Sequence, residues 1–235
     1  QLIKDMVSSL FEPQDVVVFE GGEEVVTPLL KKKFDHIFYT GGTDVGRIVM
    51  KKAAEQLTPV TLELGGKCPV LIDETANISE AADKISYFKF MNSGQTCVAP
   101  DYALVHEKIY EDFLAKIKKS ILNLYGPTNN IKDNHDYGRI VNQNHAKRLI
   151  TAMNESLKLG DEIEFGADFE ESTCFISPTI IRSNFESFIM KEEIFGPILP
   201  VIKYSSFDGA IASINKLESP LAGYIFSKDK MSIGV

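Results

Sequence analysis

The sequence predicts an α/β fold built on a parallel sheet, and three observations carry that expectation. Short β-rich runs alternate with amphipathic helical stretches along most of the chain, two of the first runs end in glycine pairs, and no internal repeat or low-complexity linker breaks the alternation. Strands alternating with helices at this spacing indicate βαβ units. With 235 residues, 44% of them hydrophobic and 25% charged, the chain can bury the core of one large or two modest domains.

The elements follow in order. Residues 1–6 read as an amphipathic helix entered part-way, not as a signal peptide. Asp15–Phe19 is a buried-strand candidate ended by Gly21-Gly22, and residues 23–33 form a helix candidate. Phe34–Tyr39 is a second strand ended by Gly41-Gly42, and residues 43–56 look helical with Val45, Ile48, Val49, Ala53 and Leu57 as their apolar or small positions. Pro59–Leu64 and Pro69–Ile72 read as strands. A helix from about residue 78 puts Ile78, Ala81, Ala82, Ile85 and Phe88 on one face. Strand Tyr102–Val105 precedes a helix whose stripe is Tyr110, Phe113, Leu114, Ile117, Ile121 and Leu124. A polar stretch over 126–141 reads as a surface loop. The reading ends with a helix over 142–158, strands over 163–165, 179–182 and 198–204, a helix over 207–217 and a strand over 223–226.

Composition excludes several classes of function. The net charge is −8 and basic residues are dispersed among acidic ones, so no basic stripe is available to neutralise nucleic-acid phosphates. No apolar run approaches the ~20 residues needed to cross a bilayer. Cys68, Cys97 and Cys174 leave at least one thiol unpaired, with no Cys-x-x-Cys and no Cys/His cluster. That usage predicts a reducing compartment and no metal site.

Four strings carry chemistry. In Tyr39-Thr40-Gly41-Gly42-Thr43-Asp44-Val45-Gly46 a strand runs through glycines into a helix, a place where backbone N–H groups can approach a phosphate. The same string also reads as a glycine turn with Thr43 or Asp44 capping the helix. Asn92-Ser93-Gly94-Gln95-Thr96-Cys97 places a thiol in a polar loop, where backbone amides can lower its pKa and hold an oxyanion. A small buried hydrophobe is the alternative for Cys97, and is the reading for Cys68 and Cys174. Glu63, in Thr61-Leu62-Glu63-Leu64-Gly65-Gly66-Lys67, interrupts an apolar strand. It is either a strand-end carboxylate paired with Lys67 or a general base whose pKa burial lifts. Finally, Glu192-Glu193-Ile194-Phe195-Gly196-Pro197 carries a rigid Gly-Pro turn after an aromatic; a carboxylate there could accept hydrogen bonds from ribose hydroxyls, and considered by itself the string is merely a loop.

These strings, in this order, resemble the aldehyde dehydrogenase superfamily over essentially the whole chain. The runs S-G-Q-T-C-V-A-P-D-Y and F-D-H-I-F-Y-T-G are most similar to its class 3 or fatty-aldehyde branch. The resemblance implies a partial Rossmann-like nucleotide-binding domain over residues 1–64 and an α/β catalytic, thiol-bearing domain over 65–235. It implies Cys97 as nucleophile and Glu63 as the base that activates the hydrolytic water. Gly41, Gly42 and Gly46 would line the pyrophosphate of NAD or NADP, and Leu64 and Gly65 would approach the nicotinamide carboxamide. Glu193 would hold the nicotinamide ribose, with Phe195 beside the nicotinamide. The implied activity is oxidation of a small-molecule aldehyde to the acid through a cysteine thioester.

The chain departs from the family in ways that set further expectations. It contains no Trp, so the family's Pro-Trp-Asn segment is absent, and it does not begin with Met. The resemblance therefore implies a fragment of about half a subunit, inactive or poorly soluble alone because its sheet edges lack their cover. The full-length form is expected to be a homodimer in the cytoplasm or on the cytosolic face of an organelle membrane, with membrane association through a C-terminal tail. Two alternatives remain at this stage. One is a relative that passes the acyl group to coenzyme A or phosphate, and the other is a non-catalytic binding or structural protein that keeps the fold.

Overall fold

The computed structural model describes residues 1–234 and divides into two compact units at the Leu64/Gly65 junction. The first unit contains α1 (Leu2–Leu10), α2 (Glu23–Leu29), β1 (Ile37–Gly41), α3 (Thr43–Ala54) and β2 (Val60–Leu64). β1 and β2 pair in parallel, from Ile37 opposite Val60 to Gly41 opposite Leu64, so β1–α3–β2 is a right-sized βαβ unit. Residues 43–56 behave differently from the expected stripe. Val49 and Ala53 are buried, but Val45, Ile48 and Leu57 are exposed, because α3 covers only a two-stranded ladder.

Asp15–Phe19 does not form a strand. It has β-prone residues but no ladder partner among the described residues, and Val16, Val17 and Phe19 are exposed. Local propensity does not make a strand without a neighbour to take its N–H and C=O groups. The helix expected over 23–33 stops at Leu29, one residue after Pro28.

The second unit is a three-layer α/β sandwich. Its elements are β3 (Pro69–Ile72), α4 (Ile78–Phe90), β4 (Tyr102–His106), α5 (Tyr110–Tyr125), α6 (Gln143–Lys158), β5 (Glu162–Phe165), β6 (Phe169–Glu170), β7 (Phe175–Ile176), β8 (Thr179–Ser183), β9 (Ile198–Tyr204), α7 (Phe207–Ile214) and β10 (Tyr224–Phe226). The main sheet has the order β10-β3-β4-β9-β8-β5; every pairing is parallel except β5 against β8. β6 and β7 pair with each other outside it.

Side-chain alternation sorts two cores onto the two sheet faces. Val70, Ile72, Ala103, Val105, Leu199 and Val201 meet α4 and α5, whereas Leu71, Tyr102, Leu104, Ile198 and Ile202 meet α6 and α7. Buried positions at i, i+3, i+4 and i+7, such as Ala146, Leu149, Ile150 and Met153, give each helix its inward stripe. Asn77, Asn142 and Ser206 cap α4, α6 and α7 by accepting a backbone N–H. Phe88 and Leu124, expected on inward stripes, are exposed. The turn from β7 into β8 and the hairpin β6–β7 carry no periodic signal and were not expected.

Candidate active site

In the first unit the glycine string makes the turn from β1 into α3. Gly42 is the residue before the helix, and no side chain caps it, so neither Thr43 nor Asp44 plays the capping part that the sequence allows. A Cβ added at Gly42 would meet nothing within 4 Å, so the space beside the uncapped helix start is open. Gly46 is buried, and a Cβ there would lie 2.7 Å from Leu64 Cδ2. Glycine thus lets α3 close on the end of β2, and Gly41, Gly46 and Leu64 come together in one corner.

Glu63 sits opposite Thr40 in the same ladder. Because Leu64 faces α3, Glu63 points to the other side of β2, and its side chain is exposed. The burial expected of a tuned base is therefore absent. In the second unit the Lys67 ammonium donates to Asp101 and to the backbone carbonyls of Ile189 and Glu192.

In the second unit the thiol loop follows α4. Asn92, Ser93 and Gly94 take successive left-handed conformations, with φ of 52°, 53° and 73°. A Cβ on Gly94 would fall 2.3 Å from Gly196 O, so the thiol loop touches the Glu193–Pro197 turn backbone to backbone. Gln95 fixes the loop to the segment before α6. Its amide donates to Asn92 O at 2.9 Å and Arg139 O at 3.0 Å, and accepts from Val141 N at 2.8 Å.

These bonds hold Cys97 on an exposed turn. The carbonyl of Cys97 accepts from the Cys68 thiol at 3.5 Å, and that of Val98 from Tyr224 Oη at 2.6 Å. Among the described residues the N–H groups of Thr96, Cys97 and Val98 have no protein acceptor, which leaves donors free beside the sulfur. Cys68 is buried, and burial pushes its thiol pKa up; Cys174 is half-buried. The exposed thiol is thus the one in the polar loop.

Gly65 and Glu193 are brought into direct contact. A Cβ on Gly65 would lie 2.2 Å from Glu193 Oε1, so the carboxylate rests on a position that only glycine can occupy. Burial raises the Glu193 pKa, and the negative charge of Asp101 adds to that, against the Gly66 N–H, Lys67 and Arg148, which favour the anion. Phe195, at the turn's apex, has φ of +47°.

Residues that the motifs did not single out hold this arrangement. Lys67 and Asp101 form a nearly buried ion pair. Lys67 also donates to Glu192 O at 3.0 Å, and Asp101 accepts from Ile194 N at 2.8 Å. Close by, Lys89 is fully buried at the end of α4; burial pulls its pKa down from 10.5 to about 8, against the attraction of Asp101. The only sequence signal for these groups is a charge flanking a glycine or an apolar run, which names no partner. A groove of about 310 Å³ opens between α6 and residues 188–194, beside Glu192 rather than at Cys97. No cluster that could hold a metal ion occurs among the described residues.

The model of the aldehyde dehydrogenase family matches residues 3–233. Aldehyde dehydrogenase family 3 member A2 of Mus musculus is 43% identical over 99% of this chain and 47% of its own length. The dimeric NADP-preferring aldehyde dehydrogenase of the same organism is 43% identical over 97% of the chain and 49% of its own. The solved, substrate-bound AldH of Staphylococcus aureus superposes with a TM-score of 0.95 at 44% identity, covering 99% of the chain and 50% of that structure. The chain thus spans about half the length of the relatives it matches. By the extent of that match, the chain belongs to the aldehyde dehydrogenase family.

Proposed function

We propose that this chain carries the nucleophile, base and part of the cofactor cradle of an enzyme that oxidises an aldehyde to a carboxylic acid with NAD or NADP. The observation that carries the reading is the exposed Cys97 thiol on a turn clamped by Gln95. In this reading residues 1–64 contribute the second half of the nucleotide-binding domain, and residues 65–235 contribute the thiol domain.

The Cys97 thiolate adds to the aldehyde carbonyl. The N–H of Cys97, with its neighbours, steadies the negative oxygen that forms, giving a thiohemiacetal. Gly41, Gly42 and Gly46 suit a pyrophosphate: the helix start is uncapped, its flank is open, and the macrodipole favours an anion there. Leu64 and Gly65 would lie by the carboxamide, and Glu193 and Phe195 would hold the ribose and ring. Bound there, the nicotinamide supplies the hydride acceptor that turns the Cys97 adduct into a thioester. Glu63 then takes a proton from the water that cleaves the thioester, and Cys97 leaves as thiolate.

The relatives support a homodimer, one of them being described as dimeric and NADP-preferring. The unpaired thiols support a reducing, cytoplasmic setting.

The test is Glu63→Gln in the full-length protein, mixed rapidly with aldehyde and oxidised cofactor. One equivalent of reduced cofactor should appear in a burst, followed by steady turnover slowed on the order of 10²-fold or more. Unchanged steady-state hydrolysis removes Glu63 as the base. Restoration of turnover by coenzyme A or phosphate assigns another acyl acceptor.

A further inference from the structure

The turn from Glu192 to Phe195 is gripped in an unusual way: four consecutive backbone carbonyls each accept a hydrogen bond from a basic side chain. Lys67 Nζ reaches Glu192 O at 3.0 Å. Arg148 Nη1 reaches Glu193 O at 3.2 Å, and its Nη2 reaches Ile194 O at 2.5 Å. His145 Nε2 meets Phe195 O at 2.8 Å. His145 and Arg148 lie on the first turns of α6, and Arg148 Nε donates to His145 Nδ1 at 3.3 Å.

That last bond fixes the chemistry of the imidazole. A ring nitrogen that accepts carries no proton, so Nδ1 is bare and Nε2 carries the hydrogen donated to Phe195 O. Burial and, to a lesser degree, the Arg148 charge pull the His145 pKa down, against the hydrogen bond to the Phe195 carbonyl. Phe195 is held with φ of +47°, a conformation costly for an aromatic residue unless its surroundings impose it. The His145 and Phe195 rings also meet edge to face, with centroids 6.2 Å apart.

We propose that His145 and Arg148 are positioning residues that hold the Glu193–Phe195 turn in the strained shape that seats the Glu193 carboxylate against Gly65, ready for the cofactor ribose. The inference rests on the reading of Glu193 as a cofactor ligand. Neither residue touches the reacting atoms; both act through the turn. Besides its contact at Gly196 the thiol loop has a clamp of its own at Gln95, so loss of the grip should weaken cofactor binding far more than it changes the nucleophile.

The experiment compares His145→Ala, His145→Gln, Arg148→Lys and Glu193→Gln in the full-length protein, measuring the KM for oxidised cofactor, kcat at saturating cofactor and the rate of Cys97 alkylation. His145→Ala should raise the cofactor KM about tenfold with little change in kcat or alkylation. His145→Gln keeps one donor and one acceptor and should recover most of the loss. Arg148→Lys keeps the charge but cannot serve two carbonyls and the imidazole together, so its KM should lie between wild type and His145→Ala.

A cofactor KM within twofold of wild type in both His145→Ala and Arg148→Lys, with Glu193→Gln raising it, overturns the positioning role alone. A raised KM in His145→Ala with no effect of Glu193→Gln supports the grip on the turn and removes Glu193 as the ribose ligand. Should His145→Ala fail to fold, amide exchange of residues 190–197 in Arg148→Lys decides the matter. Faster exchange confined to the turn supports the grip, and unchanged exchange overturns it.

Discussion

Residues 1–64 bury little beyond Gly46, Val49 and Ala53 on the inner face of α3, whereas residues 65–234 bury two extended cores on opposite faces of a six-stranded sheet. The candidate groups differ in the same way. In the first unit they are mostly glycines, and their placement follows from one local βαβ turn. In the second, besides Gly65, they are a thiol, a carboxylate and an aromatic, on loops held by bonds to residues far away in sequence. The contrast teaches that a phosphate-type cradle can be made from backbone alone, while a poised nucleophile requires long-range clamping.

Gly94→Ala should produce the largest effect, because a methyl there meets the Gly196 backbone and a left-handed φ at once. Denaturant unfolding should show a loss of roughly 3–5 kcal/mol, with the Cys97 turn displaced. A loss below about 1 kcal/mol breaks the picture of two loops locked together.

Lys89→Met should act in the opposite direction. The folded-state pKa of Lys89 is depressed from 10.5 to about 8, so between those values the unfolded chain binds the extra proton. Wild-type stability should therefore rise with pH from 8 towards 10, with the full penalty present below 8. Above about 10 the trend reverses, since burial raises the pKa of Tyr102 and Tyr137. Replacing Lys89 with Met should stabilise the protein at pH 7 by about 3 kcal/mol and flatten the rise between pH 8 and 10. A destabilised variant would assign the buried ammonium a partner whose loss outweighs its desolvation.

The smallest effect on stability is expected at Gly42→Ala. Its φ of −68° suits any residue and its flank is open, so stability should change by less than about 0.5 kcal/mol. Cofactor affinity should nevertheless fall several-fold if phosphate oxygens pass there. Equal affinity in the variant and the wild type places the phosphates elsewhere.

Much of this arrangement is legible in the sequence, for physical reasons that differ by residue. Strands such as Pro69–Ile72 and helices such as α5 declare themselves through short-range pattern, and the polar loop around Cys97 breaks that pattern visibly. Asp15–Phe19 misleads because a strand depends on a partner that its own residues cannot reveal. The exposure of Glu63 is not legible in the sequence, because its face of β2 is decided by where α3 packs. The pairing of Lys67 with Asp101, the Gln95 clamp and the four-carbonyl grip join residues tens of positions apart, and no local spacing encodes them.

The most direct measurement is peptide mapping by mass spectrometry of the protein mixed with aldehyde and oxidised cofactor and quenched in acid. An acyl group carried on Cys97, and absent from Cys68 and Cys174, is the predicted result. Turnover without an acyl adduct at Cys97, or with the adduct on another residue, contradicts the account.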